Sequence, residues 1–270
     1  MTKPDSLPRT DRSNQAGRQY LSALPDFVQQ ALIRLQQAGF EAFIVGGCVR
    51  DLLMGHQPKD WDITTNARPT DILATLPGSK YENSFGTVLW PVHLTDSTKV
   101  LEITTYRSES DYADHRHPGE IIFEDKLEND LSRRDFTINA MAMDQAGDII
   151  DYYGGQKDLR LKIIRTVGEP IDRFKEDALR LLRAVRFSGR FNFTIEPKTE
   201  RAMVKLAGSI KFIANERIRD ELTKILAGPQ PYEGIKKLHE AKLLQYILPE
   251  LEEGDGVAQN HHHVYTVFDH

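Results

Sequence analysis

The sequence predicts an α+β protein, with a mixed sheet and helices in its N-terminal part and an all-helical C-terminal part. Up to about residue 145, short strand-like runs alternate with helical patterns; from about Ile171 onward the apolar residues recur mainly at helical spacing. At 270 residues the chain is long enough for two domains or more, each with its own core.

The first 24 residues mix Lys, Arg, Ser, Asn, Gln and Pro without periodicity and are expected to form a mobile extension. Val28, Ala31, Leu32 and Leu35 then make one apolar helix stripe. The run EAFIV reads as a strand leading into Gly46-Gly47, and CVRDLLMG as the helix that follows. KDWDITT predicts another strand and ARPTDILATLP a short helix, after which GTVLWPVHL and KVLEITTYR are two strands separated by the turn-like TDST. Farther on, IDRFKEDALRLLRAVRF, KTERAMVKLA, NERIRDELTKIL and YEGIKKLHEAKLLQYIL read as helices. In the third, Ile218, Leu222, Ile225 and Leu226 share one face.

Composition excludes several classes. A net charge of −5 argues against a protein that coats nucleic acid indiscriminately, while leaving room for a local basic groove. No apolar run approaches the roughly 18 residues of a spanning helix, and residues 1 to 20 lack an apolar signal core, so a cytoplasmic protein is expected. The single cysteine, Cys48, rules out an intrachain disulfide and reads as a small packed residue. Oligomeric state is not readable.

Three groups of residues carry chemistry. Asp60 and Asp62 stand two apart on a predicted strand, so both leave one face while Trp61 and Ile63 take the other. Side by side, two carboxylates repel, and a hard divalent cation such as Mg²⁺, which prefers oxygen ligands, would stabilise them. Many solvent-facing strand edges also carry a D-x-D. What distinguishes this one is the segment upstream, where Gly46-Gly47 permits close backbone approach, a helix begins, and Arg50 lies in its first turn. Together they suggest a triphosphate cradle. Glu102, within KVLEITTYR, could complete a metal site from a neighbouring strand or pair with an arginine such as Arg107.

The third group is EDALRLLRAVR. On one helix, Ala178, Leu181, Leu182 and Val185 form the packing face; Glu176, Arg180 and Arg183 fall opposite, with Asp177 and Arg186 on the flanks.

These segments resemble the class II tRNA nucleotidyltransferases, the CCA-adding enzymes and bacterial poly(A) polymerases of the DNA polymerase β superfamily. GGCVRDLLMG with DWDITT looks like the family's first motif, RRDFTINAMAMD (Arg133 to Asp144) like its second, and EDALR like its nucleotide-recognition motif. The likeness runs from about Leu24 to at least Leu226. It implies a nucleotidyltransferase head over residues 25–145, a helical neck over 146–215, a partial helical body over 216–259, and at 260–270 the start of an HD-type domain at which the chain stops. It also implies Asp60 and Asp62 as catalytic Mg²⁺ ligands and nucleotide contacts from Gly46, Gly47, Arg50, Arg134, Asp177, Arg180, Arg183 and Arg186. The implied partners are the tRNA 3′ end, CTP and ATP, with no membrane.

The recognition motif has a physical logic. A carboxylate such as Asp177 only accepts hydrogen bonds and a guanidinium such as Arg180 only donates them. Cytosine and adenine offer an amino group beside a ring acceptor and fit; guanine and uracil present the reverse order and leave buried groups unpaired. Glu176, one turn before Arg180, is placed to orient it.

The polar stretch YRSESDYADHRHPGEIIF resembles a flexible loop associated with adding the terminal A, which favours CCA addition, with A addition alone as the alternative. SFGTVLWPVHL lacks the arginine-rich signature of the poly(A) polymerases, which rank third, and a non-catalytic nucleotide- or RNA-binding module is set against all three.

Overall fold

The structure is a computed structural model that describes residues 20–82, 86–93, 98–110, 120–260 and 264–269. The described residues fall into two compact units, the first ending at Leu161 and the second beginning at Lys162.

The first unit runs α1 (Asp26–Gln37), β1 (Ala42–Val45), α2 (Gly47–Leu53), β2 (Asp62–Thr65), α3 (Pro69–Thr75), β3 (Lys80–Tyr81), β4 (Thr87–His93), β5 (Thr98–Thr105), β6 (Arg107–Ser110), β7 (Glu120–Phe123), α4 (Leu127–Ser132), a 3-10 turn (Thr137–Asn139), β8 (Ala142–Met143), β9 (Ile149–Ile150) and α5 (Gly155–Leu161). Seven strands form one mixed sheet in the order β3-β4-β5-β2-β1-β8-β9. Its one parallel pair, β2 with β5, sets Asp62 opposite Glu102. The continuous apolar run of β1 is buried at every position, as expected for an inner strand covered on both faces. In β5 the pleat alternates instead, burying Leu101 and Ile103 while leaving Glu102 exposed. The α1 stripe of Val28, Ala31, Leu32 and Leu35 joins the same core as Ile44, Ile63 and Ile103.

The stretch read as a loop is in part a ribbon. β6 and β7 pair antiparallel from Arg107 opposite Phe123 to Ser110 opposite Glu120. Backbone hydrogen bonds hold such a ribbon whatever its side chains, so its polar sequence carries no apolar alternation to reveal it. Residues 111–119, between the arms, lie outside the described residues. So do residues 1–19 of the expected extension, 94–97 between β4 and β5, and 261–263 and 270 at the C-terminal end.

α5 packs on the 3-10 turn through Gly155. A Cβ there would collide with the Thr137 carbonyl and lie 2.8 Å from Met141 Cγ. The same contact is closed by Thr137 Oγ1 donating to buried Asp158 at 2.7 Å. Gly155→Ala is therefore expected to lower stability by about 1–3 kcal/mol through overpacking, read as a drop in Tm; an unchanged Tm would show that the turn can yield.

The second unit contains β10 (Ile163–Ile164), α6 (Pro170–Glu176), α7 (Leu179–Phe191), β11 (Thr194–Ile195), α8 (Pro197–Leu206), a 3-10 turn (Ala207–Phe212), α9 (Asn215–Leu226), α10 (Pro231–Glu240), α11 (Leu244–Ile247) and α12 (Pro249–Glu252). Among the described residues its strand pairing is a two-residue parallel ladder of β10 with β11 and an isolated antiparallel bridge of Ala258 with Thr266, and its other regular elements are helical.

Two expectations are corrected. The charged segment is not one helix: α6 ends at Glu176, Asp177 is extended (φ −142°, ψ 105°), and α7 begins at Leu179, whose N–H is accepted by Asp177 Oδ1 at 3.0 Å. An aspartate that can cap the following turn competes with helix continuation, and here it wins. In α9 the buried positions are Glu221 and Ile225, whereas Leu226 is 47% exposed. An ion pair, described below, draws the acid inward at the expense of the apolar stripe.

Among the described residues no helix is long and apolar enough to cross a membrane.

Candidate active site

In the first unit the site is built where β1, β2 and β5 lie side by side. Asp62 opens β2 and is partly buried, while Asp60 lies two residues upstream and is exposed. Trp61 and Ile63 are buried, at 6% and 0% exposure, so the alternation expected from KDWDITT holds although the paired strand starts only at Asp62.

Burial raises the Asp62 carboxyl above the ordinary range, Arg134 opposes that rise, and the charge of Asp60 adds to it. Glu102 is raised too, first by burial and then by Asp62, Glu82 and Asp60. The charges acting on Glu102 are thus acids, not the arginine considered as a partner. Among the described residues no three metal-ligating side chains are arranged around one point. What the sheet offers is a carboxylate pair with a third acid on the next strand. That donor set suits a hard cation whose other positions are filled by water or phosphate oxygens.

Gly46 brings the backbone into the same place. It has φ +84°, which favours glycine, and a Cβ on it would lie 2.9 Å from Arg134 Nη1 and 4.0 Å from Asp62 Oδ2. Gly46, Arg134 and Asp62 therefore converge on one spot. Gly47 begins α2 beside the Arg50 guanidinium, 3.4 Å from where its Cβ would stand.

Arg50 is placed differently from the sequence expectation. It is only 4% exposed; Nε and Nη2 donate to Asp51 Oδ1 at 2.8 and 2.7 Å, and Nη1 donates to Asn139 Oδ1 at 2.5 Å. Asn139 in turn donates to Asp135 Oδ1 at 3.0 Å. The guanidinium thus braces α2 against the 3-10 turn instead of standing open to a phosphate.

Arg134 is anchored by Asp130, a fully buried acid. Asp130 Oδ2 accepts from Arg134 Nη2 at 3.1 Å and from Thr64 Oγ1 at 3.2 Å, and Oδ1 accepts from Arg133 Nη2 at 2.7 Å. Burial alone would raise its pKa, yet Arg133 and Arg134 together hold it down at about 2. Cys48 is buried as expected, its thiol donating to the Val45 carbonyl at 3.2 Å, and burial beside Asp62 pushes it up to about 12. So protonated a thiol is not a nucleophile.

In the second unit the acids and arginines form pairs. Arg180 is 8% exposed, and its Nη1 donates to Glu176 Oε2 at 2.6 Å and to the Arg173 carbonyl at 3.1 Å. Arg173 Nη2 holds the other oxygen of Glu176. The expected Glu176–Arg180 contact is present, but Arg180 is covered, unlike a residue on a solvated helix face. Asp177 pairs with Arg217 of α9, and Arg186 Nε donates to Glu221 Oε2 of the same helix at 2.6 Å. The Arg186 and Arg183 guanidinium carbons sit 4.2 and 5.3 Å from the Phe187 ring centre.

Residues 42–165 match the poly A polymerase head domain, and residues 192–254 match the family described as the probable RNA and SrmB-binding site of polymerase A. The CCA-adding enzyme of Geobacillus stearothermophilus is 44% identical over 219 residues, 79% of this chain and 52% of its own. That of Bacillus subtilis is 43% identical over 230 residues, 84% of this chain and 55% of its own. The crystal structure of the Bacillus stearothermophilus CCA-adding enzyme in complex with CTP superposes with a TM-score of 0.76 at 42% identity, covering 84% of this chain and 55% of that one. The chain belongs to the tRNA nucleotidyltransferase/poly(A) polymerase family. It spans about half the length of the curated relatives it matches. A Thermotoga maritima CCA-adding enzyme complexed with tRNA_CCA matches with a TM-score of 0.73 at 28% identity, covering 86% of this chain and 55% of that one.

Within that family framework, sequence reading missed Asp130, Asn139, Arg217 and Glu221. Asp130 lies in LENDLS, three and four residues before the two arginines it holds, a spacing that could have marked it. Arg217 and Glu221, four apart, read as an ordinary surface pair on α9. Only the fold shows each of them taking an opposite charge near α7.

Proposed function

We propose that this chain carries the catalytic head and nucleotide-recognition neck of a template-independent, Mg²⁺-dependent tRNA nucleotidyltransferase, which adds C and A to the tRNA 3′ end from CTP and ATP. The observation that carries the reading is the acid pair Asp60 and Asp62, with Gly46 and Arg134 at Asp62. The names of the CCA-adding relatives support the choice of substrate.

In the reaction the 3′ oxygen of the tRNA bonds to the α-phosphorus of the nucleotide, the α–β bridging bond breaks, and pyrophosphate leaves with its electron pair. Asp60 and Asp62 would hold a divalent cation, which would supply charge neutralisation at the phosphates and acidify the attacking hydroxyl, whose proton passes to solvent. Arg134, whose Nε is buried without an acceptor, offers positive charge where phosphate oxygens carry negative charge. Arg50, beside Gly47 and held by Asp51 and Asn139, keeps its positive charge at the start of α2. Asp177 accepts the amino group of cytosine or adenine, Arg180 donates to the ring nitrogen, and Glu176 fixes the Arg180 guanidinium. Arg183 and Arg186 complete the nucleotide contacts. A cytoplasmic setting fits the lone buried thiol of Cys48.

The test supplies three tRNAs, ending before CCA, after the first C and after CC, with each labelled nucleotide and then with CTP and ATP together. C, C and A on the shortest acceptor is the expected result. A on the CC-ending acceptor alone would make the protein an A-adding enzyme, unlimited A tracts a poly(A) polymerase, and bound nucleotide without product a binding module.

A further inference from the structure

Asp177 and the α9 arginine opposite it specify more than the presence of an acceptor. A carboxylate has about four lone-pair positions on its two oxygens. Three donors reach this one: the Leu179 N–H at 3.0 Å and Arg217 Nη1 at 3.4 Å on Oδ1, and Arg217 Nη2 at 2.9 Å on Oδ2. One position remains, on Oδ2. The side chain keeps 20% of its exposure, so that position is open to a ligand.

The helix that carries Arg217 is itself held. Four residues along α9, Glu221 is 4% exposed and takes Arg186 at 2.6 Å, so α9 is tied to the recognition segment at two points of opposite polarity. A forked guanidinium on both oxygens fixes the plane of a carboxylate as well as its place.

Fixing the plane matters for rejection. An acceptor facing the carbonyl of uracil or guanine disfavours binding only if it cannot turn away and let water fill the gap. An aspartate on a flexible χ angle could do so; one clamped through three donors cannot. We infer that Arg217 is a specificity-determining positioning residue, which locks Asp177 so that it presents one acceptor to an incoming amino group and cannot swing clear of a carbonyl. The inference rests on the proposed reading of Asp177 as the base acceptor and names the residue that enforces it.

Equilibrium binding of CTP, ATP, UTP and GTP in the presence of Mg²⁺ tests it, with wild-type protein, Arg217→Ala and Arg217→Lys. Wild type should prefer CTP and ATP. Arg217→Ala should shrink that preference by about 10-fold or more, the worth of one charge-assisted hydrogen bond, with UTP and GTP losing least. Arg217→Lys, which can hold one oxygen but not both, should fall between and keeps the question answerable if the alanine variant misfolds. Selective wild type with equally selective variants would overturn the inference and leave the functional reading standing. A uniform loss for all four nucleotides would overturn it in favour of a structural role. Wild type without any preference would overturn the base-reading assignment itself, and this inference with it.

Discussion

Asp62→Asn is expected to abolish nucleotide transfer while leaving the protein at least as stable as before. The loss follows from the proposed chemistry: a divalent ion bound there would supply several kcal/mol of transition-state charge stabilisation, so removing one of its proposed carboxylate ligands should cost about 10³-fold in rate or more. The stability follows from electrostatics. Burial and Asp60 hold the folded Asp62 carboxyl above its unfolded value, so the folded state binds the proton more tightly. Stability therefore falls as pH rises through the interval between the unfolded and folded values, and the cost is complete above the folded value. Asparagine removes that charge. Thermal melts at neutral pH should show an equal or higher Tm, with no labelled nucleotide incorporated, and Asp60→Ala should likewise leave the fold intact and the enzyme inactive. Normal turnover by either variant would remove both residues from the mechanism.

Asp130→Asn should have the opposite signature, with stability and activity falling together. Asp130 is fully buried and accepts from Arg133, Arg134 and Thr64. Neutralising it leaves two guanidinium groups short of their acid, a loss of about 3 kcal/mol, toward the lower end for a buried pair because both arginines keep some exposure. Arg134 then loses its anchor beside Gly46 and Asp62. The pH dependence carries the sign of a depressed carboxylate: the folded value is about 2, below the unfolded value of about 3.9. The contribution is thus full above about pH 4 and lost as pH falls toward 2. Between pH 5 and pH 2.5 the wild type should lose more Tm than the variant does. Parallel pH curves for the two would show that Asp130 is not ionised in the fold.

How much of this was legible depended on whether the signal was local. The α1 stripe and the buried β1 run follow from periodicity, and both formed as expected. Asp60 and Asp62 stood out because a D-x-D after a Gly-Gly turn is a pattern within one short segment. Glu102 could be noticed but not assigned, since its position opposite Asp62 depends on a parallel pairing of β2 with β5 that no local rule specifies. The brace from Arg50 to the 3-10 turn was not readable, because Asn139 lies 89 residues away. The break at Asp177 was hidden for another reason: the apolar stripe of α7 continues through it, and periodicity registers the stripe but not the cap. The same limit concealed Glu221, whose burial is set by Arg186 and not by the helix that carries it.

Whether Asp60 and Asp62 act as a cation-holding pair is tested most directly by a Mn²⁺ titration followed by electron paramagnetic resonance, on wild type and Asp62→Asn at two pH values. The expected result is a Mn²⁺ site in the wild type that is lost in Asp62→Asn. Its affinity should weaken on acidification at pH values above the ordinary carboxylate range, because protons compete for an Asp62 whose pKa is raised. Equal Mn²⁺ binding by the two proteins would contradict the central assignment.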